Sequence, residues 1–168
     1  MSGQASLPVR TVRIDVPGGL LLHPAVLAAI ALFVVNDHVF KPAHPGWLTG
    51  KLSDVAGLVF FPVLLAAFAE LVIPVARRHV GATLLIAVAA TGLTYVAMLV
   101  SPAGGDGYRW FIGIVQWPFR IAGALAAGSP MPAIAPVRFA ADPTDLITLP
   151  ALLVPLVLAI HGRVHRLD

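Results

Sequence analysis

The chain has no cysteine. Disulfides, thiolate nucleophiles and cysteine-ligated metal are therefore excluded, and the usual clue to redox compartment is missing. Charge is the second shortage. Only 11% of the 168 residues are Asp, Glu, Lys or Arg, against about 25% in soluble domains. So few charges cannot cover the water-facing surface of a chain this size. The basic residues stand as singles and pairs, with a formal net charge of +3, so no run is long enough to engage nucleic acid. Also lacking are a Gly-x-Ser-x-Gly elbow, a P-loop, a dinucleotide glycine motif and an HExxH pair.

What is there is apolar. Hydrophobic residues make up 58% of the chain, which points to one all-α integral membrane protein with a single polytopic domain. Residues 1–18 read as a cytoplasmic tail, 19–162 as the membrane domain and 163–168 as a basic C-terminal tail. The first apolar run, Gly19–Val35, follows Arg10 and Arg13 but ends without a small-x-small cleavage pattern, so it reads as a signal anchor. A second span is expected from Asp54 to about Ala76, with Ser53 as its N-cap and Pro62 inside it. After the turn Arg77-Arg78-His79 comes a third, Val80–Val100, rich in small residues. The last is Thr144–Ile160.

Between the third and last spans the sequence changes character. Ala103–Gly107, AGGDG, reads as a glycine-rich turn. In Tyr108–Ala127, Arg109, Gly113, Gln116, Arg120 and Gly123 share one helical face and Trp110, Phe111, Ile114 and Leu125 fall mostly on the other. That pattern suits an amphipathic helix lying in the interface. The count is then four transmembrane helices, or five if this one crosses. Gly128–Pro143, with four prolines, reads as a stiff extended loop.

The four-span count puts Arg77, Arg78, Arg163 and Arg166 with the N-terminal arginines on one side. By the positive-inside rule that side is cytoplasmic, both termini with it. The opposite side receives Trp47, Trp110 and Trp117 and most of the polar residues. Ionisable groups close to the bilayer are costly and become functional candidates. The candidate cluster is Asp37, His38, Lys41, Lys51, Ser53, Asp54, Arg109, Arg138, Asp142 and Asp145. If the first helix continues, Asp37 and Lys41 stand at i,i+4 and can pair. Ser53-Asp54 and Thr144-Asp145 each read as the opening of an apolar span, an echo that would bring Asp54 and Asp145 near each other. Glu70, well inside a span, can pair with Arg77 or face the interior. Capping and interfacial ion pairing account for most of these groups. A divalent metal on His38, Asp54 and Asp145 is the alternative, although no standard ligand spacing is present, and no cofactor is expected.

The motifs NDHxxK at Asn36–Lys41, GKLSDxAGL at Gly50–Leu58 and DPTDL at Asp142–Leu146 resemble those of small bacterial polytopic membrane proteins of unassigned function. Arg138 followed by Asp142–Leu146 is also similar to the late motif of VanZ-like proteins. The early acid-Lys-x-x-His pattern of that group is not reproduced by Asn36-Asp37-His38. The resemblance implies a role in the cell envelope, at the inner membrane, without established catalysis. The leading expectation is a non-enzymatic protein whose outward polar cluster binds a lipid head group, an envelope ligand or a partner membrane protein. The alternatives are a metal-dependent membrane hydrolase or transferase, and a small transporter or channel subunit.

Overall fold

The structure, a computed structural model, describes residues 16–164. Arg10 and Arg13 of the N-terminal tail lie outside the described residues, as do His165 and Arg166. The described chain is all-α, with no strand. A short 3-10 turn, Gly19–Leu22, leads into α1, Pro24–Ala43. Then come α2, Trp47–Val72; the short α3, Pro74–Arg78; α4, Val80–Val100; and α5, Pro102–Ala126. An irregular stretch follows, then a 3-10 helix, Pro143–Leu152, that runs into α6, Leu153–Val164.

Among the described residues, four helices are long and apolar enough to cross a membrane: Pro24–Ala43, Trp47–Val72, Val80–Val100 and Pro143–His161. At 1.5 Å per residue, even the shortest reaches close to the roughly 30 Å of a hydrocarbon core. Large apolar side chains stand outward along them, with Phe68 at 60% exposure and Leu93 at 73%. The helix α5 is long enough but is not one of the four. It carries Asp106, Arg109, Gln116 and Arg120.

Several boundaries differ from those read from the sequence. The first helix does not stop at Val35. It continues through a five-residue π-turn, Asn36–Phe40, to Ala43. Pro42 offers a cause: it has no N–H to donate, and its ring crowds the carbonyl one turn back, so the helix widens there. The second helix starts at Trp47, not at Asp54. Gly46 is fully extended and its N–H donates to Thr49 Oγ1 at 3.2 Å, which starts α2 seven residues before the expected cap. Ser53 lies inside the helix and is buried. The Ser53/Thr144 echo fails with it, since only Thr144 is near a helix start. Ala103–Gly107 is helical as well. Ser101 caps α5, its hydroxyl accepting from Gly104 N at 3.3 Å. A Cβ on Gly104 would overlap the Ala97 carbonyl, so this glycine permits a close approach to the end of α4 and does not break the helix.

Packing divides the chain into two units. One contains the described residues up to Val88 and from Pro150 on. Its core is Val26 of α1, Val63 and Ala66 of α2, and Leu84, Ala87 and Val88 of α4, with Leu152, Leu156 and Ala159 packed against it. Alanines at the contacts let helix backbones come close. Phe33 and Phe60 meet edge to face, 5.3 Å between centroids. The other unit is Ala89–Leu149. Within it the proline-rich stretch lies along α5. Val137 N donates to Arg109 O and Arg109 Nε donates back to Val137 O, both at 3.1 Å. Trp117 Nε1 donates to Pro132 O at 2.9 Å, and Tyr108 packs on Phe139 with centroids 5.0 Å apart. Extended chain has no internal hydrogen bonds, so its carbonyls are open to such donors.

Candidate functional site

The junction of α1 and α2 holds a polar network. Asn36 follows directly on an apolar run and is wholly buried, at 0% exposure. Its Nδ2 donates to Thr49 O and to Ser53 Oγ, both at 2.6 Å. Ser53 Oγ donates in turn to Asp37 Oδ1 at 2.5 Å, and Lys41 Nζ reaches the same oxygen at 2.8 Å. One serine thus touches two consecutive residues of α1. In a regular helix neighbours point about 100° apart; the π-turn opens the winding where both meet Ser53. The pairing of Asp37 with Lys41 expected from i,i+4 spacing is present. It depends on α1 continuing past Val35.

One atom in the network is unsatisfied. Asn36 Oδ1 is buried and has no hydrogen-bond partner among the described residues. A buried acceptor without a donor costs about 1–3 kcal/mol. Asn36 lies within the candidate span that ends at Ala43.

Around the network the corner is closed by short-range bonds. Thr49 Oγ1 lies within reach of His44 O at 3.2 Å and Gly46 O at 3.0 Å. Lys51 is 6% exposed, and its ammonium stands 5.6 Å from the ring centroid of Trp47, within cation–π range. Asp54, next along α2, is half-buried. His38 is exposed and its Nδ1 is 2.9 Å from Val34 O, an ordinary bond back along its own helix.

The remaining candidates belong to the other unit. Arg109 Nη1 pairs with Asp106 Oδ1 at 3.0 Å, besides holding the proline-rich stretch. Arg138 is exposed. Asp142 Oδ1 accepts from Thr144 N at 2.9 Å, and its carbonyl accepts from Asp145 N. It therefore caps the 3-10 helix, in keeping with the preference of Asp for that position. Asp145 contributes its carbonyl, which accepts from Thr148 Oγ1 at 2.7 Å and from Tyr95 OH at 3.2 Å. Among the described residues no group of three His, Asp or Glu side chains is placed to hold a metal ion.

At the far end of α2, Glu70 is 5% exposed. Its Oε2 accepts from Gly18 N at 2.8 Å. Arg77 does not meet the carboxylate: its Nε donates to Glu70 O at 2.5 Å and its Nη2 to Leu71 O. It caps the carbonyl end of α2, where a cation is favoured. Ile73, extended ahead of Pro74, ends the helix there.

The sequence reading missed the central place of Asn36 and the bond from Gly18 to Glu70. A signal for the first was present. An amide directly after a long apolar run, six residues before a helical proline, marks a helix that carries a polar group inward. No protein-family model, curated protein or solved structure matches this chain.

Proposed function

We propose that the chain is a non-enzymatic, multi-pass membrane protein that binds a zwitterionic phospholipid head group at the corner of α1 and α2. The partly exposed ion pair of Asp37 and Lys41 at that corner, 2.8 Å apart, carries this reading. The Asp37 carboxylate favours a hydrogen-bond donor that is positively charged. Lys41, whose side chain is 38% exposed, supplies the opposite sign for a phosphate. An ammonium and a phosphate a few ångströms apart is the chemistry of an ethanolamine head group. The exposed apolar flanks of α1 and α2 provide for its acyl chains.

The corner faces the outer side of the cell membrane, and both termini face the cytoplasm. The pairing of Arg77 with Arg78 at the other end of α2 supports this orientation. The helix α5 lies in the outer interface, with Phe111, Ile114 and Phe119 exposed toward lipid.

Native mass spectrometry of the protein extracted in mild detergent tests the head-group reading. Wild type retains phosphatidylethanolamine in preference to phosphatidylcholine. Asp37→Asn, which still accepts from Ser53, loses that preference. Wild type free of phospholipid, or an unchanged preference in the variant, overturns the reading. Orientation is tested separately. The absence of cysteine makes single-cysteine labelling clean: Lys41→Cys reacts with an impermeant maleimide in intact cells, and Arg78→Cys only after lysis. The reverse pattern overturns the orientation.

A further inference from the structure

A cavity of about 820 Å³ opens at the opposite end of α2 from the polar corner. Val63, Ala66, Ala67, Leu84 and Ala159 form its apolar part, and Arg77, Arg78 and His79 lie along it. The segment through Gly18 supplies another wall. That wall is pinned in place by the bond from Gly18 N to Glu70. Gly18 has φ +74, and a Cβ there would press on Ala67 Cβ at 3.2 Å. Only glycine makes this turn without strain.

The charges in the cavity are unequally engaged. The Glu70 carboxylate is held by Gly18 N–H. Arg77 is spent on the two carbonyls at the end of α2, and His79 Nδ1 on Val75 O at 3.2 Å. Arg78 is exposed and has no hydrogen-bond or ion-pair partner among the described residues. An unengaged guanidinium beside an apolar cavity between candidate membrane spans matches an amphiphile with an anionic head. The guanidinium fork suits phosphate oxygens, and the alanine-lined floor suits an acyl chain.

We infer that this cavity binds an anionic phospholipid, its phosphate on Arg78 with Arg77 and His79 behind, and one acyl chain against Ala66 and Ala67. The distance from Ser53 to Glu70 along α2 is about 25 Å, close to the thickness of a hydrocarbon core. The cavity thus serves the leaflet opposite the α1–α2 corner. It is a second site, independent of the head-group reading proposed for that corner.

The test uses the full chain in detergent, stripped of lipid, with phosphatidylglycerol, phosphatidylcholine and inorganic phosphate as probes in native mass spectrometry. Wild type binds phosphatidylglycerol more tightly than phosphatidylcholine, and inorganic phosphate at equal concentration does not displace it. Arg78→Glu lowers phosphatidylglycerol affinity about tenfold or more, since it removes a charge-assisted contact and adds a repulsion. Ala82→Phe, a change at an exposed lining position, weakens both phospholipids by occupying their space. Equal affinity for the two phospholipids, displacement by inorganic phosphate, or binding that is indifferent to both Arg78→Glu and Ala82→Phe overturns the inference.

Discussion

The two ends of α2 solve the same problem differently. Each carries polar side chains on a helix apolar enough to cross a membrane. At the Ser53 end, buried hydroxyl, amide and carboxylate groups bond to one another across two helices, and one acceptor is left over. At the Glu70 end a single carboxylate takes one backbone N–H, and space is left beside it. The first arrangement ties α1 to α2 through side chains. The second ties a chain segment to α2 through backbone. A polar network is as strong as its most shared member, so damage at the Ser53 end spreads, while damage at the Glu70 end stays local.

That contrast can be broken by mutation. The largest effect is expected for Ser53→Ala. It removes an acceptor from Asn36 and a donor from Asp37 together, and should cost about 3 kcal/mol at about 1–3 kcal/mol per group stranded. Reversible unfolding in mixed micelles measures it; a loss below that of Glu70→Leu would erase the difference between the ends. Glu70→Leu should cost about 1–2 kcal/mol, the loss of one acceptor for Gly18 N–H. Glu70→Gln, which keeps an acceptor oxygen, should recover most of that in the same assay. Gly18→Ala should cost about 1–2 kcal/mol through its left-handed backbone. It should also slacken the cavity wall, read as faster amide exchange at Leu20 and Leu21. Lys41→Ala should be smallest. The Lys41–Asp37 pair is more than a third exposed on the lysine side, and such pairs contribute about 0–1 kcal/mol.

The spans were legible because they rest on composition. Val80–Val100 contains no charged residue, and a run of that length has few places to go but lipid or a core. The pairing of Asp37 with Lys41 was legible too, as a consequence of helical spacing. The start of α2 was not. Ser53-Asp54 has the local pattern of a helix opening, yet Thr49 and Gly46 begin the helix earlier and free the serine for Asn36. Capping preference is worth about 1 kcal/mol, less than the pair of buried hydrogen bonds that Ser53 makes from inside the helix. The AGGDG run misled for a related reason. Gly104 and Gly113 look like helix breakers in isolation, but a Cβ at either would collide with a backbone carbonyl, of Ala97 and of Ala135. Their role is defined by a neighbouring backbone outside their own helix.

Sequence alone determined the all-α class, the four apolar helices and the scarcity of charge, since these follow from which atoms prefer water. It also determined where polar residues are concentrated. Which of them meet was decided only by tertiary structure: a π-turn that brings Asn36 and Asp37 to one serine, and a glycine turn that reaches a glutamate 52 positions away. Solvent preference is a property of each residue taken singly, whereas a hydrogen bond exists only between two groups already held at the right distance and angle.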